Sequence, residues 1–280
     1  MNLLQSGRVR APRDIGFAPR QTPVGCISIL RNWGKVVRRR IGSRRTLASR
    51  VVAVATAACL FASGCVTTSF KTSESLARKE PTTRILLMPA DVELSELNAG
   101  GIAEPNAAWT KTAEGLMSKA LADRFRSISA NMVAYPLEKF PTDIDHPHVQ
   151  LAKLHGAVGA SILLHQYNPA FVLPSKGEKF EWTLGPGVAA LQKDFGADYA
   201  LFIHVRDSYT SAGRAVAIVL AAALFGVGLQ GGVQQGFASL VDLRTGEIVW
   251  FNRLVRGEGD LRNPEGATES VSALLAEFPK

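Results

Sequence analysis

Residues 199–205 read YALFIHV, and residues 237–251 read FASLVDLRTGEIVWF. The first is dense in β-branched and aromatic residues and reads as a strand buried on both faces. The second reads as a hairpin: strand Phe237 to Val241, a turn at Leu243-Arg244-Thr245-Gly246, and strand Ile248 to Phe251. Gly246 supplies the left-handed residue that a turn with a bulge requires. Three strands in the last third of the chain set a sheet, and the fold class depends on what surrounds them.

Helical periodicity does. From Pro105, a favourable first helical residue, Trp109, Ala113, Leu116, Met117, Ala120, Leu121 and Phe125 recur on one stripe. A second helix is expected from Pro147 to Tyr167, with Leu151, Leu154, Val158, Ile162 and His165 on one face. A short one runs from Pro186 to Phe195 and stops at Gly196. The last begins at Asn263-Pro264-Glu265 as cap, first-turn proline and first-turn acid, and turns Val271, Leu274, Leu275 and Phe278 inward. Ile85 to Met88 before Pro89, and Met132 to Tyr135 before Pro136, are short strands. The order is β-α-β-α-α-β, an apolar Gly-rich segment, then β-β-α. Helices alternating with strands predict an α/β (α+β) fold, a mixed sheet flanked by helices, in one domain over 84–280.

The 280-residue chain has net charge +8, but the charge is unevenly placed. Residues 1–50 carry twelve Lys and Arg against Asp14 alone, a net of +11, and residues 66–280 carry a net of −3. The basic surplus belongs to a leader, so the domain has no electrostatic footprint for nucleic acid. The cysteines, Cys26, Cys59 and Cys65, also stop before the domain, which excludes internal disulfides and Cys-ligated metal there.

The leader ends in RRRIGSRRTLASR, then VVAVATAACLFA (51–62), then Ser63-Gly64-Cys65. A basic stretch, a short apolar core and small residues make an export signal. Twelve apolar residues are too few for a spanning helix, which needs about 20. Ala62, Ser63, Gly64 and Cys65 resemble the lipobox of bacterial lipoprotein precursors, with Ala62 where that class usually has Leu. The resemblance implies cleavage before Cys65 and a lipid anchor there, palmitate included. The alternative is an ordinary signal peptide that happens to contain Cys. Val66, where an Asp would retain the protein at the inner membrane, implies the periplasmic face of the outer membrane. Residues 1–35 are an arm in excess of an ordinary leader, consistent with a start at Val36 or Val37; 36–64 are the signal peptide; 65–83 read as a polar tether. Ser43-Arg44-Arg45-Thr46-Leu47 partly resembles a twin-arginine motif, so the export route stays open.

The element order, with Asp198-Tyr199-Ala200-Leu201 and the hairpin Asp242-Leu243-Arg244-Thr245-Gly246-Glu247-Ile248-Val249-Trp250, resembles the α/β domain of TolB N-terminal and curli-secretion lipoproteins. That implies a periplasmic domain acting through contact with partners or copies of itself, without catalysis.

Three groups invite chemistry. Asp145, His148 and His155, in the Asp143 to His155 stretch, offer metal-ligand types, and His155 lies seven residues after His148 on the same helical face. The same residues suit a capped loop and a helix start. Gly226-x-Gly228-x-x-Gly231 spells a dinucleotide fingerprint, but a strand is expected after it, where the site needs a helix. Arg206 and Asp207 suit an ion pair at a strand end. No cofactor is implied and no nucleophile elbow or phosphate loop occurs.

Residues 215–229 (AVAIVLAAALFGVGL) hold no charge. The reading leans toward a buried core segment. The alternative is a segment that meets a membrane or copies of itself, with small residues at Ala222 and Gly226, and at Gly228 and Gly232. The expected function is a lipid-anchored, non-catalytic envelope assembly, secretion or accessory factor. Its expected partners are the membrane, envelope proteins and possibly itself. The rival is a periplasmic metal-binding protein or hydrolase using the Asp143 to His155 cluster.

Overall fold

The computed structural model describes residues 67–73, 83–127, 131–177, 179–229, 231–257 and 259–279. The leader, the lipobox residues Ala62, Ser63, Gly64 and Cys65, and part of the expected tether lie outside them. All described residues belong to one compact unit. The strands are β1 (Thr67–Thr72), β2 (Ile85–Leu87), β3 (Asp91–Leu97), β4 (Ala103–Pro105), β5 (Met132–Ala134), β6 (Tyr199–Thr210), β7 (Gln234–Asp242) and β8 (Ile248–Arg256). The helices are α1 (Ala107–Ser127), α2 (Pro147–Tyr167), α3 (Ala189–Phe195), α4 (Ala212–Phe225) and α5 (Pro264–Leu274).

The eight strands form one open mixed sheet in which six follow the order β1-β8-β7-β6-β2-β5, and off that path β3 pairs with β6 and β4 with β3. Strand β6 is its spine. β7 runs antiparallel along one side of it, and β2 then β3 run parallel along the other. Met88, Pro89 and Ala90 interrupt that second lane, because Pro89 has no N–H to give to a ladder. The expected α/β class is the observed one.

Alternation along β6 sorts two cores. Leu201, Ile203 and Val205 pack with α1 and α5 against Trp250. Ala200 and Phe202 pack with α2 and α3 against Phe251. Fully burying each such side chain contributes about 1.5–3 kcal/mol, so the neighbours Trp250 and Phe251 hold the helical layers on opposite faces. The hairpin turn forms as expected. Gly246 sits at φ 80°, and a Cβ there would lie 2.2 Å from the Gly185 carbonyl oxygen.

Four expectations need correction. Residues 67–72 are not a tether: they form β1, antiparallel to β8. β3 and β4 were not expected, though Val92 and Leu94 of β3 are buried. In α2 the buried face is His148, Leu151, His155, Gly159 and Ile162, while Leu154 is exposed. The helix is rotated so that two histidines, not Leu154, face the sheet. Finally, residues 215–229 are not core.

Candidate functional site

The feature that stands out is α4. Ser211 caps it, its side chain accepting from the Arg214 N–H, and Gly226 ends it at φ 64°. None of its residues is buried. Val216, Val219, Leu220, Leu224 and Phe225 are 59, 65, 51, 68 and 76% exposed. A helix apolar on all sides is ordinarily covered on all sides. Soluble monomers rarely leave such a contiguous patch open. No helix among the described residues is long and apolar enough to cross a membrane.

The sheet explains the exposure. β6 and β7 stay paired up to Asp207 and Gln234. The Ser208 and Val233 backbones bond beneath the excursion, and Thr210 Oγ1 accepts from the Gly232 N–H at 3.0 Å. A Cβ at Gly232 would stand 2.1 Å from the Ser208 carbonyl oxygen, so this glycine serves the neck of the excursion. Of the four small residues singled out, Ala222 lies on α4, Gly226 is its cap, and Gly228 and Gly232 follow its end. Gly228 and Gly232 therefore do not form a helix-approach pair. Ala222, Gly226 and Gly228 are exposed. The fingerprint glycines follow a helix and precede a strand, the reverse of a dinucleotide site.

A buried polar network fixes this neck. Gln234 Nε2 donates to Asp207 Oδ2 at 2.7 Å, and the Tyr209 hydroxyl donates to the same oxygen at 2.5 Å. Arg256 Nε donates to Gln234 Oε1 at 2.6 Å and Nη2 to Ser270 Oγ at 2.7 Å. The Leu261 N–H donates to the Tyr209 oxygen at 2.8 Å. Burial raises the pKa of Asp207 despite these donors, and burial with the bond to Asp207 raises that of Tyr209. The network ties both legs of the excursion to β8 and α5. Sequence reasoning missed it: Asp207, Gln234 and Arg256 lie far apart in the chain, and only strand register joins them. The expected Arg206–Asp207 pair does not form, because neighbours on a strand point to opposite faces. Arg206 Nη1 instead meets Asp91 Oδ1 at 2.9 Å, and His204 Nδ1 lies 2.9 Å from Asp91 Oδ2.

The metal-ligand candidates are dispersed. Asp145 is exposed, and its N–H donates to Asp143 Oδ1. His148 bonds Tyr135 through Nδ1 at 2.9 Å and lies 3.3 Å from Asp194 through Nε2. His155 bonds Ser239 Oγ at 2.9 Å. Among the described residues no group of three or more His, Cys, Asp and Glu is placed to hold a metal ion. Ser239 and His155 are both buried, and the carboxylate of Asp91 is engaged by His204 and Arg206. His165 is half-buried and bonds the Phe171 carbonyl. A cleft of about 290 Å³ between Pro89, Lys111, Glu114, Ser118 and Phe140 carries the exposed Lys111–Glu114 pair.

No protein-family model and no curated protein matches the sequence. Among solved structures, the chain is similar to the PelC dodecamer from Paraburkholderia phytofirmans, at 12% identity and TM-score 0.33, over 75% of this chain and 97% of that one. It is also similar to lipoprotein GNA1162 from Neisseria meningitidis, at 16% and 0.29, over 71% and 99%. For the LpoB C-terminal domain from Salmonella enterica the values are 12% and 0.25, over 65% and 86%. At such scores the functional reading rests on this chain's own residues.

Proposed function

We propose that the chain is a lipid-anchored lipoprotein of the cell envelope, held at the periplasmic face of the outer membrane through Cys65. Its α/β domain acts there as a non-catalytic assembly, secretion or accessory factor. One observation carries the reading: an apolar helix with no buried residue, exposed over most of its circumference, stands on a hydrogen-bonded polar neck, in a chain whose leader ends in residues that resemble a lipobox. A projecting apolar element is built for contact, and the buried network of Asp207, Gln234 and Arg256 serves to hold it. The dispersal of Asp145, His148 and His155 gives the metal-binding alternative no support.

The lipidation step is tested with Cys65→Ser in the intact precursor. The variant is expected to stay unprocessed or to leave the membrane fraction. Processing and membrane retention equal to wild type would defeat the lipobox reading, and density-gradient fractionation placing the wild type with the inner membrane would defeat the outer-membrane assignment.

A further inference from the structure

We propose that α4 is a second membrane anchor, inserted into the same leaflet that holds the lipid on Cys65. The inference rests on the lipoprotein reading above and names what covers the helix. Strand register carries it. Thr67 pairs with Val255, Val255 with Gln235, and Gln235 with Arg206. The start of β1 therefore lies in one row with the last third of β6, about 14 Å away across three strand spacings. β6 continues from Arg206 to Thr210, and α4 begins at Ala212. The helix thus leaves the sheet at the end where β1 enters it. The β7–β8 turn, with Arg244, lies at the opposite end.

Cys65 stands two residues before Thr67, and two residues reach at most about 7 Å. A lipid on Cys65 holds this end of the sheet against the bilayer. The two residues between the lipid and β1 are too few to turn the other end of the sheet toward the membrane, because β1 takes up Thr67–Thr72.

The pattern of exposure selects hydrocarbon over a protein groove. At about 100° per residue, Arg214, Ala217, Ile218 and Ala221 share one half-buried stripe, while Val216, Val219, Leu220 and Leu224 lie on the exposed remainder, an arc of roughly 200°, and Phe225 is exposed past the end of the stripe. A groove covers a narrow stripe of a helix, whereas acyl chains cover the whole of an arc this wide. Fourteen residues span about 21 Å, longer than half of a hydrocarbon core of about 30 Å but short of crossing it. The helix enters one leaflet at a slant, with its most exposed residues, Leu224 and Phe225, at the far end.

The native sequence provides the test, since no cysteine follows Cys65. Leu224→Cys and Arg244→Cys are each made in the full chain. The mature protein is labelled with bimane and reconstituted into phosphatidylethanolamine–phosphatidylglycerol vesicles with acyl-chain spin labels. Position 224 is expected to be quenched several-fold more than position 244. Equal, weak quenching at both positions overturns the inference. So does a disulfide-linked 224–224 dimer without quenching, which would place a second copy of the chain on α4. The mass of the N-terminal peptide reports separately on Cys65. An acylated protein unquenched at 224 refutes the second anchor alone, and an unacylated Cys65 refutes the lipoprotein reading whatever the quenching.

Discussion

His155 shows what a single buried ring does to this fold. It stacks on Phe202 with centroids 5.0 Å apart and leans on Phe237 at 5.2 Å. Burial, and next the neighbouring His204, push its pKa down from 6.5 to about 3, against a small opposing pull from Asp91. Between these values the unfolded chain binds a proton that the native chain refuses. Stability is therefore complete above the unfolded value and falls as pH drops toward the folded one. At about pH 5 the loss from this ring is about 2 kcal/mol. His148 is shifted the same way, by burial and then by His146. Asp91 acts in a lower window. Burial alone would raise its pKa, but the bonds to His204 and Arg206 hold it well below the usual carboxylate range. Its contribution is present above its ordinary value of 3.8 and is lost below it. The urea midpoint is accordingly expected to fall from about pH 7.5 to about pH 5, with a shallower fall in His155→Gln. A flat midpoint across that range would mean that the ring is not held neutral.

At the scale of elements, α4 reverses the expectation for one substitution. In a core, Ala222→Asp would strand a carboxylate at a cost of several kcal/mol. On an exposed helix the same change should move stability by no more than about 0.5 kcal/mol. The full-chain variant is expected to keep the wild-type unfolding midpoint and, combined with Leu224→Cys, to weaken the acyl-chain quenching at position 224. A drop in midpoint by the larger amount would put the segment back in the interior. The run 215–229 was legible as a segment needing cover, because its apolar residues fill every side. What covers it was not legible, because composition does not reveal that β6 and β7 close beneath it. The same limit explains α2, where the periodicity was right and the rotation wrong: a neutral ring such as His155 packs like an aromatic, while Leu154 tolerates solvent. Strand β6, the hairpin, the apolar stripe of α1 and the capped α5 were legible because alternation, a positive-φ glycine, helical period and a cap each report a local cause, but the start of α1 was misplaced, since Pro105 ends β4 and Asn106 Oδ1 accepts from the Trp109 N–H ahead of the helix. β1 was hidden for the opposite reason. An edge strand can pair through its backbone alone, so TTSFKT carries no apolar alternation.

For the molecule as a whole, β1 decides how far the domain can move from the proposed lipid anchor at Cys65. A tether of nearly twenty residues would let the domain swing freely, but β1 removes that freedom by joining the sheet next to Cys65. It is also fastened by side chains. The Tyr167 hydroxyl donates to the Ser69 carbonyl at 3.1 Å, Arg253 Nε donates to Ser69 Oγ at 3.1 Å, and Ser73 bonds Glu247. Burial pushes the Tyr167 pKa up to about 12, so its donor persists across the physiological range. β1 is polar, carries Lys71, and ends the sheet as short charged edges do in native proteins. β8 behind it is nine residues long and buries Trp250, Phe251 and Leu254. A chain beginning at Thr82 strips that cover and leaves β8 as a long apolar edge, an established template for pairing with other chains. It is expected to unfold at lower urea than a chain beginning at Val66, and to elute as larger species in size-exclusion chromatography in the same detergent. Equal midpoints and equal elution volumes would show that β1 only rests on the sheet, and would return residues 65–83 to the role of a free tether.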